Sequence, residues 1–386
     1  MSASSPSILI SGMLAANPGQ GGATWAVLQY LLGLQDFGCN VCLVEPIPND
    51  QSTANSESLK TSRSAAYFRS VVDRFGIADR AALLEQSTRN TVGLTYDNIL
   101  EAAGRSDLLI NVSGMLRDDQ ILQTIPRRLY LDLDPAFNQL WHAQGIDVGL
   151  ADHTHFATIG LGIGQPECSI PTCGIDWIKT LQPIVLSQWP FAEHAGTGGI
   201  TTVGNWRGYG SIEHDGVFYG QKVHSLRLLR DIPRKIDEPV SIATSIHSDE
   251  NEEAEALTKS GWKIVDPRQV AGTPDHYQKF IQSSWAELGV AKSGYVAAQC
   301  GWFSDRSVAY LASGRPVIAQ DTGFDTYLPC DGGLSTFRTV DDVVGAVEEL
   351  RRDYAGCRKA ARAVAQDYFD SRKVLPQLLA RAEVPL

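Results

Sequence analysis

The stretch Gln299-Cys300-Gly301-Trp302-Phe303-Ser304-Asp305-Arg306-Ser307-Val308-Ala309-Tyr310-Leu311-Ala312-Ser313-Gly314-Arg315-Pro316-Val317-Ile318-Ala319-Gln320-Asp321 decides how this chain is read. Before it, Tyr295-Val296-Ala297-Ala298 is a short apolar run that predicts a buried strand. Ser304 and Asp305 are helix-capping residues, and Asp305 to Ser313 has the length of a short helix. Val308, Leu311 and Ala312 share one face of that helix, and Gly314 stands where a left-handed residue ends it. Arg315-Pro316 stops the helix, and Val317-Ile318-Ala319 begins the next strand.

Strand, loop, capped helix and strand make half of a parallel α/β sheet, and such sheets bind ligands at the carboxyl edge where this loop lies. A helix N-terminus there presents free N–H groups and partial positive charge. Ser304, Arg306 and Ser307 add hydroxyls and a guanidinium, so the stretch is suited to an anion, a phosphate above all.

The chain has 386 residues, more than one hydrophobic core usually serves, and this predicts two domains. Hydrophobic residues at 43% and charged residues at 20% are those of a globular protein. A net charge of −11 argues against nucleic acid as a partner and against an electrostatic membrane anchor. Without a signal-peptide pattern or an apolar run of spanning length, the seven cysteines predict reduced thiols in a cytoplasmic protein. Cys39 and Cys42 form a CxxC, but Val41 and Leu43 put them on a strand and no second pair completes a zinc site.

In the amino-terminal half, Ser7 to Gly12 predicts a first strand, Asn17 to Gly22 a flexible loop, Ala23 to Phe37 a helix and Val41 to Glu45 a second strand. The glycines come too late after the strand for a dinucleotide fingerprint. Gly21 and Gly22 instead let the backbone approach a ligand or a facing domain. Pro48 to Ser64 is a polar excursion of the kind that covers an acceptor pocket. A helical region from Ala65 to Leu84 leads to strands at Asp107–Val112, Arg128–Leu133 and Phe156–Gly160, and the alternation indicates a doubly wound domain. Gly160 to Gly164 reads as a loop.

Two features there carry chemistry. Asp132-Leu133-Asp134 is a DxD that carboxylate-bound divalent metals use, although Pro135 makes a turn equally natural. Asp152-His153-Thr154-His155 offers a general base oriented by a carboxylate, with one of the two histidines in that role or both on the surface.

A Pro/Gly-rich stretch from Gln188 to Gly199 predicts the crossing between domains. The strand at Gly199–Val203 empties into a second Gly-rich loop, Asn205-Trp206-Arg207-Gly208, whose Arg207 can reach a phosphate. The helix after it carries Lys222, Arg227 and Arg230, most of them expected to face solvent. Strands follow at Val240–Thr244, Lys263–Asp266 and Leu334–Phe337, with amphipathic helices from Asp341 and around Val374 to Leu379.

The carboxyl half, from Gly199 to Leu379, resembles the donor domain of GT-B glycosyltransferases. Cys300-Gly301-Trp302-Phe303-Ser304 is similar to the HCGWNS segment of nucleotide-sugar-dependent enzymes, and Ala312 to Ile318 to their A-x-G-x-P-V-I segment. Gly21-Gly22 resembles the GG loop of the acceptor domain. Gln299 replaces the motif His, and Ala309 stands where a donor-binding Glu is common. The resemblance implies an α/β GT-B fold, two Rossmann-like doubly wound domains facing a cleft. Residues 1–190 would form the acceptor side and 191–370 the donor side, with a C-terminal helix at 371–386 packing back on the first.

It further implies transfer of a sugar from a nucleoside diphosphate to a small-molecule acceptor, with no metal, no other cofactor, no nucleic acid and no integral membrane segment. Donor contacts would come from Gly21, Gly22, Asn205, Arg207, Gln299, Gly301, Trp302, Ser304, Asp305, Arg306, Ser307 and Asp321. An inverting reaction would take its base from His153 or His155 with Asp152. A nucleotide-sugar epimerase on the same fold and a non-catalytic sugar-nucleotide binder are the alternatives.

Overall fold

The computed structural model describes residues 5–47 and 58–386, so the part of the polar excursion at 48–57 lies outside the described residues. Two parallel sheets organise the rest. The first contains β1 (Ser7–Ser11), β2 (Asn40–Ile47), β3 (Ala81–Glu85), β4 (Asn90–Gly93), β5 (Leu108–Val112), β6 (Arg128–Asp132), β7 (His155–Thr158) and β8 (Ile178–Lys179). Their order is β4-β3-β2-β1-β5-β6-β7-β8, and only β4 runs antiparallel to its neighbour. The second contains β9 (Ile200–Val203), β12 (Val240–Ala243), β13 (Lys263–Val265), β14 (Ala286–Gly289), β15 (Val317–Gln320) and β16 (Leu334–Phe337), all parallel. A hairpin of β10 (Ile212–His214) and β11 (Val217–Tyr219) interrupts it in sequence.

The second sheet has the order β13-β12-β9-β14-β15-β16. Numbered within the unit this is 3-2-1-4-5-6, the nucleotide-binding order whose direction reverses between its first and fourth strands. That switch point lies between β9 and β14.

Nine helices carry the rest of the description: α1 (Gly21–Asp36), α2 (Phe137–Ala143), α3 (Lys222–Leu228), α4 (Pro274–Ser283), α5 (Ser293–Ala298), α6 (Asp305–Ala312), α7 (Val340–Arg352), α8 (Tyr354–Val364) and α9 (Ser371–Arg381). From Arg306 to Ala312 α6 is buried on every side. Small side chains at Ala309 and Ala312 let its neighbours come close, and Gly314 ends it with φ 66°. The α9 helix lies on α1, where Gly33 makes room: a Cβ there would meet Leu375 Cδ1 at 2.6 Å.

Two sequence expectations fail. Tyr295–Ala298 is not a strand but the end of α5, because the strand of this βαβ unit is the earlier Ala286–Gly289. The helical region expected from Ala65 to Leu84 stops at Arg74, and Ala81–Glu85 is β3, an entirely buried strand whose apolar run has no helical period. Where the two sheets face, Gly21 N donates to Ala271 O at 2.7 Å and Trp25 Nε1 to Pro274 O at 3.0 Å. On the other flank Gly162 N donates to Cys300 O at 2.8 Å.

Candidate functional site

The carboxyl ends of β9 and β14 and the first turn of α6 converge at the switch point of the second sheet. Ser304 precedes α6 in an extended conformation, and its side chain makes no capping bond. Asp305 keeps solvent contact inside an enclosed setting. Burial raises its carboxyl, and the adjoining Arg306 charge and α6 amides oppose that. Ser307 is buried.

The cation that reaches this spot is Lys222, at the first position of α3. It makes no hydrogen bond or ion pair among the described residues, yet a Cβ on Gly204 would lie only 2.6 Å from its Nζ. Gly204 follows β9, and its bare Cα gives the ammonium room against the strand end, where a side chain would push the flexible lysine tip aside. Burial pushes the Lys222 pKa well below the usual lysine value, the Arg306 charge adds to this, and Glu287 opposes it. An unpartnered ammonium held this way is suited to a polyanion that arrives with its own charge. Of the three cations in this stretch, most of them expected to face solvent, Arg227 and Arg230 are exposed and Lys222 turns inward. The signal available in the sequence was its place at the start of a helix opening after a Gly-rich loop.

Arg306 is placed differently from its expected role. It is buried, its Nε donates to Glu287 on β14, and its Nη1 donates to Val203 O at 3.0 Å. The guanidinium thus ties α6 to the ends of β9 and β14. Arg207 is exposed and held by Glu250, Nη2 to Oε1 at 2.6 Å, and Asn205 beside it is exposed as well. Asp321 is buried and occupied, accepting from Gly323 N at 2.8 Å and Arg338 Nε at 2.7 Å. Arg306, Arg207 and Asp321 are thus each paired with an opposite charge elsewhere in the chain.

Gln299 ends α5 with φ 45°, and its Nε2 donates to its own Val296 O at 2.9 Å. Gly301, with φ 72°, donates to Thr322 O at 2.8 Å and abuts Gly162, so it shapes the facing of the two units. Trp302 is half-buried and stacks on Tyr295 at 4.2 Å and 18°. Gly21 and Gly22 serve the close approach of α1: a Cβ on Gly21 would stand 2.2 Å from Thr273 O, and one on Gly22 2.9 Å from the Tyr277 ring. They bind the facing unit, which leaves no observation for a nucleotide there.

The histidines do not reach the cleft. His155 opens β7 and His153 precedes it, whereas the facing edge is reached at the carboxyl ends of the strands. His153 is buried, with Nδ1 2.7 Å from Gly149 O and Nε2 3.1 Å from Asn111 Nδ2. Those partners make Nδ1 the protonated nitrogen and Nε2 an acceptor. Burial pulls its pKa down to about 4. His155 Nδ1 lies 2.9 Å from Thr154 Oγ1 and its Nε2 4.0 Å from Glu383. Asp152 is exposed, and its backbone carbonyl accepts from Arg128 Nε.

The DxD is consumed internally. Asp132 accepts from Asp134 N, Asn138, Gln139 and Thr158, between 2.6 and 3.0 Å. Asp134 meets Lys292 Nζ at 3.1 Å and accepts from the hydroxyls of Tyr209 and Tyr295. Lys292 and Asp134 come from opposite units, and the ammonium also lies over the Tyr209 ring at 3.9 Å. This is a clamp between the two sheets. Among the described residues no group of three or more His, Cys, Asp or Glu is arranged to hold a metal ion.

Glu45 was not foreseen. Standing near the carboxyl end of β2 and fully buried, it accepts from the amides of Leu14, Ala15 and Ala16 at 2.8, 2.6 and 2.6 Å. Burial pushes its carboxyl up to about 7, against those three bonds. It holds the turn between β1 and α1. A glutamate following Val41 to Val44 in a buried strand was the available signal.

No family model matches this chain, and no curated protein matches it in sequence. Solved structures do. An α-glucosyltransferase in complex with UDP and a 13-mer DNA containing a central A:G mismatch superposes with a TM-score of 0.63 at 11% identity, over 98% of this chain and 99% of that one. Anabaena Alr3699/HepE in complex with UDP and glucose gives 0.56 at 10% identity, over 97% and 99%. A glycosyltransferase from Rickettsia africae ESF-5 gives 0.53 at 11%, over 98% of each chain. The end-to-end likeness establishes that this chain has the GT-B fold.

Proposed function

We propose that the protein is a glycosyltransferase that moves a sugar from a nucleoside-diphosphate sugar to a small-molecule acceptor without a metal ion. The observation that carries this reading is the partnerless Lys222 ammonium beside Gly204, at the switch point and next to the first turn of α6. The neighbouring structures hold UDP, which supports a uridine diphosphate donor.

The chemistry asks for little more. As the C1–O bond to the diphosphate breaks, negative charge builds on the leaving oxygen, and Lys222 with the α6 amides stabilises it. Arg306 contributes from behind by fixing α6 against β9 and β14. Both histidines lie off the cleft, so the course this geometry supports needs no enzyme base. The acceptor oxygen bonds C1 on the face the diphosphate leaves, and its proton passes to a diphosphate oxygen, with retention of configuration. Paired or hydrogen-bonded carboxylates at Asp132 and Asp134 support independence from metal. The α-glucosyltransferase neighbour is in complex with DNA, whereas a net charge of −11 favours a small acceptor here.

The test is incubation with UDP-, GDP- and TDP-sugars, with and without a panel of hydroxylated small acceptors, in the presence of a chelator. Acceptor-dependent release of nucleoside diphosphate supports the proposal. Interconversion of the nucleotide sugar without an acceptor would replace it with an epimerase, and saturable binding without turnover with a binding protein.

A further inference from the structure

A second cavity adjoins the phosphate seat on the side where the chain crosses between the sheets. It encloses ≈ 100 Å³, and Trp25, Tyr30, Trp189, Tyr277, Asp305 and Ala309 are among the residues lining it. A single water needs only about 10–15 Å³ on that scale, so the space is too large for one. The indoles of Trp25 and Trp189 meet at 5.1 Å and 60°, and Trp189 meets Tyr277 at 6.3 Å and 88°, giving rigid apolar walls.

Two polar groups on these walls have nothing to bond. Trp189 Nε1 and Tyr30 Oη are buried and unpartnered among the described residues, although the neighbouring Trp25 Nε1 is satisfied by Pro274 O. Asp305, next to them, is exposed to solvent, and amides at the start of α6 bond its carboxylate, which keeps further accepting capacity. Buried polar groups are normally paired, so two beside one cavity, with a carboxylate at its edge, call for an occupant. An indole N–H only donates and an ionised carboxylate only accepts. A group that satisfies both must itself accept and donate, which is what a hydroxyl does. Aromatic walls suit the C–H faces of a ring that carries such hydroxyls.

We infer that this cavity is a subsite for a neutral polyhydroxylated ring, a sugar, held by Tyr30 and Trp189 from one unit and Asp305 from the other. The inference rests on the proposed function for the identity of that ring as the sugar being transferred or accepting. Asp305 joins the two sites, since it opens α6 and also lines the cavity. Ala309, one turn further on, leaves the space that a longer side chain would fill.

Saturation-transfer NMR of the full chain with methyl α-D-glucopyranoside, methyl β-D-galactopyranoside and D-xylose, with and without UDP, tests this. At least one sugar should receive saturation in either condition. Tyr30→Phe and Trp189→Phe should each weaken its binding roughly 2- to 10-fold, the worth of one hydrogen bond, and Asp305→Asn by more. Tyr30→Phe should leave UDP affinity unchanged, and its thermal midpoint checks that it folds. Three results overturn the inference: no transfer to any of the sugars in protein that binds UDP, sugar binding indifferent to both aromatic variants, or preferential transfer to tetramethylammonium. Sugar binding without any UDP binding would instead sink the donor reading and leave the cavity's assignment in place.

Discussion

Replacing Lys222 by Met should make the empty protein more stable and its nucleotide binding much worse. Met keeps the unbranched apolar stem and removes the ammonium. In the free protein that ammonium is half-buried, close to the Arg306 charge, and without a partner among the described residues. Removing a half-buried, unpaired ammonium should return part of the ~1–3 kcal/mol that a fully buried unsatisfied polar group costs. For a cooperative unit of 150–250 residues, each kcal/mol is about 2–4 °C in Tm. The sign with pH follows: a lysine whose folded pKa is depressed penalises the fold fully below that pKa. The penalty fades as pH rises through it, so the variant's advantage shrinks at alkaline pH. Against UDP, loss of a charge-assisted contact in the cleft should cost roughly 2–5 kcal/mol, or about 30-fold to several thousand-fold in Kd. Calorimetry reads both effects. Unchanged UDP affinity, or a variant less stable than wild type near neutral pH, would refute the reasoning.

Arg306→Ala should act first on folding. It leaves Glu287, which is wholly buried, without its counter-charge, at a cost of about 3–5 kcal/mol in urea unfolding, and Glu287→Gln in the same chain should recover part of it. Asp134→Asn should cost a similar amount by stranding Lys292, and small-angle scattering should show the two units moving apart; a loss below about 1 kcal/mol would mean that the clamp behaves as a surface pair. His153 has its pKa down to about 4, below the ordinary 6.5, so protons favour the unfolded chain between those values. Stability should fall by roughly 3 kcal/mol as pH drops through that window, and His153→Gln should remove that slope while leaving the pH profile of turnover intact. A lost alkaline or acid limb of turnover in that variant would restore the histidine as a base.

The reading from sequence succeeded where physics is local. Apolar runs such as Leu108–Val112 and Val317–Gln320 are buried because nothing else in their neighbourhood can be, and Gly314 sits at φ 66° because the chain must turn there. It did not see pairings with partners elsewhere in the chain. Arg207 was expected at a phosphate and meets Glu250; Asp321 was expected among the donor contacts and meets Arg338; Arg306 meets Glu287, 19 residues upstream. Each is a charge that the fold neutralised on its own, and no spacing rule reveals such pairs. The same physics explains why Lys222 is the informative residue. A protein of net charge −11 has carboxylates to spare, so a cation left unpaired inside it is costly. Lys222 carries that cost at the switch point, with a glycine beneath it and a helix N-terminus alongside. A structural role would have given it a partner, as it did for the other three charges, so a ligand that supplies the missing charge is what makes the arrangement intelligible.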